Sequence, residues 1–116
     1  MDIEWIRRYC LALPHTTEDV QWDSLLFRIA RKIYTMVSLE GTGKSLVCFK
    51  CTPEDYAELI ENEGIIPAPY LARNHWVSLT RLDALSRAEI KLKIFRSYEL
   101  VSSQLPKKTQ LSLRQR

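Results

Sequence analysis

The chain opens with apolar positions at helical spacing. Ile3, Ile6 and Cys10 recur every three or four residues, which predicts a helix over residues 2–13. Pro14 cannot continue a helix, so it marks the end. The polar segment that follows is predicted to be a loop as far as residue 17.

From residue 25 the helical spacing gives way to alternation. Leu25, Phe27 and Ile29 alternate with their neighbours, as do Ile33, Thr35, Val37 and Leu39, which is typical of strands. Ser45–Cys51 resembles a returning strand. The segment Glu40–Lys44 has the glycine content of a hairpin turn. We therefore predict three antiparallel strands joined by tight turns.

A second helix is signalled by its first residues. Thr52 is a suitable N-cap, Pro53 fits the first helical position, and two carboxylates complement the helix dipole. Gly64 is placed to stop this helix. Tyr56, Leu59 and Ile60 are predicted to face the core. The solvent face carries Glu54, Glu58 and Glu61. Since those carboxylates repel phosphate, any nucleic-acid surface is expected elsewhere.

The C-terminal part predicts two short strands and a last helix. Residues 65–70 and 75–80 are the strands, and prolines mark the first of them as an edge or irregular strand. The last helix begins near residue 83 or at Ser86, which forms a capping-box pattern with Glu89, and it ends at Gln104. Its predicted buried stripe is Ile90, Ile94, Tyr98, Val101 and Leu105.

The predicted order is helix, three strands, helix, two strands, helix. One antiparallel sheet with helices laid over a face is a two-layer α+β sandwich. A length of 116 residues is that of one domain. We expect a single domain over residues 1–106 and a basic C-terminal tail over residues 107–116. The tail is either a segment that grips phosphates or a disordered, solvated end.

Composition indicates a globular protein of a reducing compartment. Apolar residues make up 46% of the chain, and no apolar run approaches the ~20 residues that span a bilayer. The N-terminus lacks the basic and apolar regions of a signal peptide. Three cysteines cannot all pair within one chain, so they are interpreted as free thiols. We expect a cytoplasmic protein without a membrane partner.

The net charge of +3 is unevenly distributed. Residues 1–64 hold 7 Lys/Arg against 11 Asp/Glu, a balance of −4, and residues 65–116 hold 10 against 3, a balance of +7. A half this basic favours a polyanionic partner. A solvated surface with uneven charge explains the same numbers.

The segment Gly41–Ser45 resembles part of a phosphate-binding loop. The full pattern requires glycine at position 38, where Ser38 stands, and a helix directly after the loop. The following residues have the pattern of a strand instead. We therefore predict a hairpin turn and no nucleotide site here.

Cys48 and Cys51 have the spacing of a zinc or redox pair. Residues three apart on a strand point to opposite faces, so both thiols cannot reach one metal. His15 and His75 are the only histidines, and no arrangement of nucleophile, His and acid is evident. We expect no catalysis, no metal and no cofactor.

Aromatic residues among Lys and Arg are candidates for nucleic-acid contact. Aromatic rings stack on bases while cations neutralise phosphates. Trp22 and Tyr98 are predicted to fill the core of the domain. Tyr70 and Trp76, which flank Arg73, are predicted to have surface roles.

Several segments, taken in order along the chain, resemble the MmcQ/YjbR family. They are Leu13-Pro14, Thr17-Glu18-Asp19 with Trp22, Arg31-Lys32-Ile33-Tyr34, Phe49-Lys50-Cys51-Thr52-Pro53-Glu54, Tyr70 ahead of His75-Trp76-Val77, Ser97-Tyr98, and Leu105-Pro106-Lys107-Lys108. Together they cover nearly the whole chain. One departure is Arg31, where the family often has glycine.

The resemblance implies a fold like that of type III secretion chaperones, with a double-wing element proposed to bind DNA. Fold does not fix function, so three functions stay open. The one we prefer is binding of DNA or another nucleic acid. The second is docking of a partner protein or a second copy of the chain, and the third and weakest is an enzyme or small-ligand binder with a polar pocket. The candidate nucleic-acid contacts are Lys32, Lys50, Arg73, His75, Trp76, Lys107 and Lys108.

Overall fold

The computed structural model describes residues 3–39, 45–69 and 74–114 of the chain. Four α-helices lie within these residues: α1 (Glu4–Ala12), α2 (Pro53–Leu59), α3 (Arg87–Ser103) and α4 (Lys107–Arg114). Six strands lie there as well: β1 (Thr16–Gln21), β2 (Ser24–Ile29), β3 (Lys32–Ser38), β4 (Val47–Lys50), β5 (Ile65–Pro67) and β6 (Trp76–Leu79).

The six strands form one antiparallel sheet in the order β1-β2-β3-β4-β6-β5, so β1 and β5 are its edges. Helix α3 lies across β3 and β4. Its Ile90 and Ile94 are fully buried in the same core cluster as Phe27 and Phe49 of the sheet. The α+β class predicted from the sequence is confirmed.

Strand β1 was not predicted, because its polar sequence and its turn both lack the usual signals. Trp22 and Asp23 form the two-residue turn into β2 with φ of 52° and 58°. Two-residue hairpin turns with positive φ at both positions usually contain Asn or Gly. The prediction that Trp22 fills the core is wrong, since its side chain is 78% exposed at this turn.

The turn between β2 and β3 has the same left-handed backbone. Ala30 and Arg31 have φ of 47° and 73°, so Arg31 occupies a position that favours glycine. A bulge follows, because Phe27 pairs with Thr35 and Arg28 with Ile33. This register leaves Tyr34 as the extra residue, and its fully buried side chain turns towards α1.

Local capping signals set the starts of α2 and α3 as predicted. The hydroxyl of Thr52 accepts a hydrogen bond from the Asp55 amide at 3.1 Å. Ser86 and Glu89 form a complete capping box.

Gly64 does not stop α2, which ends five residues earlier at Leu59. Gly64 has φ of +87° and forms the turn before β5. A Cβ at this position would lie 3.0 Å from the side chains of Ala84 and Arg81. The predicted helix stop is therefore a tight turn, in which a side chain would be strained by the positive φ and crowded by Ala84 and Arg81.

Residues 107–114, which the sequence presented as a basic tail, form helix α4. The side chain of Gln110 donates hydrogen bonds to the carbonyls of Leu105 at 2.7 Å and Ser103 at 3.3 Å. These bonds satisfy carbonyl groups at the end of α3, which would otherwise lack partners. They join α4 to the end of that helix.

The three cysteines are free and buried, and two of them lie on opposite faces of the sheet. Cys48 packs beside Ala68 and Trp76, whereas Cys51 belongs to the core beneath the helices. Burial raises the pKa of Cys51 and Cys10 to about 12 and raises the pKa of Cys48 as well. Such thiols stay protonated and unreactive near neutral pH.

The described residues hold no cluster of three or more His, Cys, Asp or Glu side chains suited to a metal ion. None of their helices is long and apolar enough to cross a membrane. The turn predicted at residues 40–44 lies outside the described residues. The strand predicted after it is confirmed as β4, whereas a phosphate-binding loop requires a helix at that point.

Candidate functional site

At one end of the sheet, the start of β3, the end of β4 and the start of β6 lie side by side. Strand β3 begins with Lys32, and β4 ends with Lys50. Lys50 pairs with Trp76, the first residue of β6. Because neighbouring strands are antiparallel, the start of one lies beside the end of the next. We call Arg31, Lys32, Lys50 and the first turn of α4 the basic end of the sheet.

A cavity of about 350 Å³ opens at the basic end, against the last turn of α3. Its described lining residues are Lys32, Ile33, Lys50, Asn74, Trp76, Val101, Gln104 and Leu105. The structure thus brings together three residues predicted as contacts, which come from three different strands.

The two lysines of the cavity have no carboxylate partner in the described part of the chain. Two arginines elsewhere in the described residues do have carboxylate partners: Arg7 donates to Glu18 at 2.7 Å, and Arg28 donates to Asp19 at 2.9 Å. Lys32 is exposed, and Lys50 is half-buried. The described lining contains no Asp or Glu. The cavity is therefore electropositive and is suited to an anion.

Ser97 of α3 fixes the backbone at Lys50. Its buried hydroxyl accepts a hydrogen bond from the Lys50 amide at 2.9 Å and donates one to the Tyr34 carbonyl at 2.6 Å. One side chain thus ties α3 to both β3 and β4. The position from which the Lys50 side chain leaves the sheet is set by this pair of bonds.

Tyr34 anchors the same region to the N-terminal helix. Its hydroxyl lies 2.8 Å from the Thr16 hydroxyl and donates to the Cys10 carbonyl at 3.2 Å. Burial raises the pKa of Tyr34 far above its usual value. The phenol therefore stays protonated and available as a donor.

Trp76 is buried, contrary to the surface role predicted for it. Its side chain is 7% exposed and packs with Ala68 and Cys48, with Ile33 and Met36 at the margin of the cluster. Apolar residues distant in sequence cover the ring, which the sequence alone did not indicate. The small exposed part of Trp76 belongs to the cavity wall. Too little of the ring is exposed for a base to stack on it.

His75 does not reach the cavity. Its ring packs edge-on against Tyr56 with centroids 5.4 Å apart, and its carbonyl accepts a hydrogen bond from the Cys51 amide. Arg73 and Tyr70, also considered as contacts, lie outside the described residues.

Lys107 and Lys108 are exposed on the first turn of α4, two and three residues after Leu105 of the cavity wall. That turn contains no acidic residue. The positive end of a helix dipole is stabilised by anions and opposed by cations. An anion bound beside this turn would relieve the repulsion.

Three polar residues at the basic end were not identified from the sequence. Asn74 and Gln104 line the cavity, and their side chains make no hydrogen bond within the described residues. Ser97 acts through the backbone of Lys50. The signal that would have found Asn74 and Gln104 is their place at element ends, beside β6 and α3, where antiparallel neighbours converge.

The opposite end of β1 and β2 has another chemistry. Trp22 is exposed at the turn, and Val20 beside it is 59% exposed. The same hairpin carries Glu18, Asp19 and Asp23. Asp23 at this exposed apolar tip disfavours contact with phosphates, whereas Glu18 and Asp19 are already paired with Arg7 and Arg28.

Comparisons with known proteins agree on the fold. A protein from Deinococcus radiodurans, DR2400, with a DUF419 domain, superposes with a TM-score of 0.84 and 23% identity, covering 96% of this chain and 86% of that one. A protein from Pseudomonas syringae gives a TM-score of 0.67 and 25% identity, with coverages of 86% and 98%. No curated protein matches the chain. The family model described as YjbR matches residues 11–100, and the chain therefore belongs to the YjbR family.

Proposed function

We propose that this protein binds nucleic acid, DNA in the first place, through the basic end of its sheet. The observation that carries the proposal is the convergence of Lys32 and Lys50 on one cavity without a carboxylate partner in the described residues. Lysines placed in this way neutralise phosphates and release counterions. Lys107 and Lys108, on the adjacent first turn of α4, extend the same charge.

An acidic region elsewhere on the described surface supports this choice of face. Glu54 and Glu58 are exposed on α2, and Glu61 is exposed just after it. The β1–β2 hairpin carries Asp23, together with Glu18 and Asp19, which are paired with Arg7 and Arg28. Phosphates approaching Glu54, Glu58 and Glu61 meet repulsion. A polyanion is steered to the basic end, where the field has the opposite sign.

Contacts of this kind position a phosphate backbone without reading its sequence. No base-reading side chain is proposed, because Trp76 is buried. No catalytic step is proposed either. The expected activity is salt-sensitive binding with weak sequence preference.

The test is fluorescence anisotropy of a labelled duplex at about 50 and about 200 mM salt. We expect affinity to fall steeply between the two and to collapse in Lys32→Glu/Lys50→Glu. The matched control is Arg87→Glu/Lys91→Glu, which makes the same change in charge in the first turns of α3. Lys91 lies ten residues before the cavity residue Val101, roughly 15 Å along the helix.

Both variants are first compared with the wild type by thermal unfolding. Equal loss of binding in the two variants would mean that only net charge matters. Binding that is absent at both salt concentrations would refute the proposal.

A second function is favoured by a different observation. Trp22 and Val20 expose apolar surface next to the edge strand β1, whose outer backbone groups have no strand partner in the described sheet. A partner protein or a second copy of the chain would bury this surface by strand addition. Light scattering of the wild type and of Trp22→Ser tests it: a dimer that the substitution dissociates supports this function, and a monomer in both argues against self-association.

A further inference from the structure

The wall of the cavity has two chemically distinct parts. Lys32 and Lys50 offer ammonium groups, and Asn74 and Gln104 offer amide donors that are not used within the described residues. The remaining described wall is apolar, formed by Ile33, Trp76, Val101 and Leu105. A ligand that satisfies both parts has an anionic group joined to an organic body.

We propose that this cavity binds a phosphomonoester, either the phosphorylated end of a nucleic-acid strand or a free mononucleotide. The inference rests on the proposed function, since the same two lysines carry both. It goes further by naming the group that enters the cavity. In this arrangement the phosphate lies at Lys32 and Lys50, and the sugar lies against the apolar part of the cavity wall.

Charge selects a terminal phosphate over an internal one. An internal phosphodiester carries a single negative charge. A phosphomonoester carries close to two at neutral pH, because its second pKa is about 6. Two unpaired ammonium groups in one cavity match the larger of these charges. Unused amide donors add hydrogen bonds to the oxygens that the ester end leaves free.

Size and shape lead to the same group. A cavity of about 350 Å³ lies at the lower end of the range for small-ligand sites. A nucleotide inside a duplex enters such a cavity only after it has been unpaired and unstacked, which costs a few kcal/mol and least for a single strand. The end of a single strand enters without that cost.

The first arm of the test is competition for a labelled, 5′-phosphorylated single strand. Competitors are the same strand with a 5′-phosphate, with a 3′-phosphate or with hydroxyls at both ends, a nucleoside monophosphate, and inorganic phosphate. We expect at least one phosphorylated end to compete about tenfold better than the hydroxyl-ended strand, as one additional charged hydrogen bond provides.

Variants assign the effect to the cavity. Lys32→Gln/Lys50→Gln is expected to abolish the preference, and Gln104→Ala is expected to reduce it without removing a charge. Arg87→Gln/Lys91→Gln serves as the control and is expected to keep the preference. A preference that survives both cavity variants would place the phosphate elsewhere and overturn the inference.

The outcomes separate this inference from the proposed function. Equal competition by phosphorylated and hydroxyl-ended strands, with binding still sensitive to salt, overturns the inference and leaves nucleic-acid binding standing. If no strand binds, the proposed function fails, and calorimetric titration with a nucleoside monophosphate decides the inference. Binding that Lys32→Gln/Lys50→Gln removes supports a free mononucleotide as ligand, and no binding refutes it.

Discussion

Ser97 shows how a residue that lines no part of the cavity controls it. Its hydroxyl accepts from the Lys50 amide and donates to the Tyr34 carbonyl, so one buried side chain holds two strands against α3. The bond to the Tyr34 carbonyl is buried, where water does not replace a missing partner, and the bond from the Lys50 amide is partly buried. The position of Lys50 thus depends on how α3, which carries Ser97, packs on the sheet.

We expect Ser97→Ala to lower the free energy of unfolding by about 1–3 kcal/mol, because a buried carbonyl and a partly buried amide lose their partner. Urea unfolding measures the change. Ser102→Ala is the matched control, since Ser102 lies on the same helix and its side chain makes no hydrogen bond within the described residues. Similar destabilisation by the two substitutions would show that the Ser97 bonds contribute little.

Two tryptophan side chains lie in environments opposite to those predicted from the sequence, and the reason is physical. Trp22 follows a polar strand, and only the tight turn at Trp22-Asp23 decides that its side chain points outward. Trp76 is covered by Cys48 and Ala68, which pack on it only after the sheet has formed. Neither the exposure of Trp22 nor the burial of Trp76 can be predicted from residue type and local alternation. The lysines of the cavity were identified, whereas the depth of the cavity was not.

Among the elements, those with strong local signals were predicted and those without them were missed. Thr52 and Ser86 cap their helices as the sequence indicated. Strand β1 was missed because its turn lacks Gly and Asn, and its polar residues do not alternate with apolar ones. Helix α4 was missed because none of its side chains is fully buried. Elements with few apolar residues form because of contacts with neighbouring elements, and local sequence patterns do not reveal those contacts.

Helix α4 leads to a prediction in which binding and stability change in opposite directions. Lys107→Glu/Lys108→Glu places acids at the positive end of the helix dipole, where each is expected to stabilise by about 0.3–1 kcal/mol. The same substitutions remove two cations from the basic end. We expect an unchanged or slightly higher melting temperature together with weaker binding of the duplex.

The salt dependence of that binding measures how many phosphates α4 neutralises. For each phosphate that the α4 variant no longer neutralises, the slope of log K against log salt should become shallower by about 0.9 for duplex DNA. An unchanged slope in a folded variant would show that α4 does not touch the backbone. The basic end would then reduce to Arg31 and the two cavity lysines.

For the whole molecule, the distribution of charge is more informative than the net value of +3. Acidic side chains occupy α2 and the β1–β2 hairpin, and unpaired lysines gather where β3, β4 and β6 have their ends together. The sequence showed a basic C-terminal half. It did not show that Lys32 and Lys50, which come from the acidic half, join that charge through the order of the strands.

The chain belongs to the YjbR family, and the proposal that DNA binds at the basic end of the sheet can be tested directly. The chain holds three tryptophans in three different settings. Trp5 lies on α1 beneath Arg87, Trp22 lies at the exposed hairpin turn, and Trp76 forms part of the cavity wall. Their indole N–H resonances therefore report on three separate regions.

The measurement is a titration of ¹⁵N-labelled protein with a short DNA oligonucleotide, with each indole resonance assigned by a Trp→Phe substitution. We expect the Trp76 resonance to shift and to saturate, together with the amides of Lys32 and Lys50, while Trp5 and Trp22 stay in place. A shift of Trp22 with Trp76 unchanged would place the contact on the acidic hairpin and contradict the proposed site. A spectrum in which nothing moves would contradict nucleic-acid binding itself.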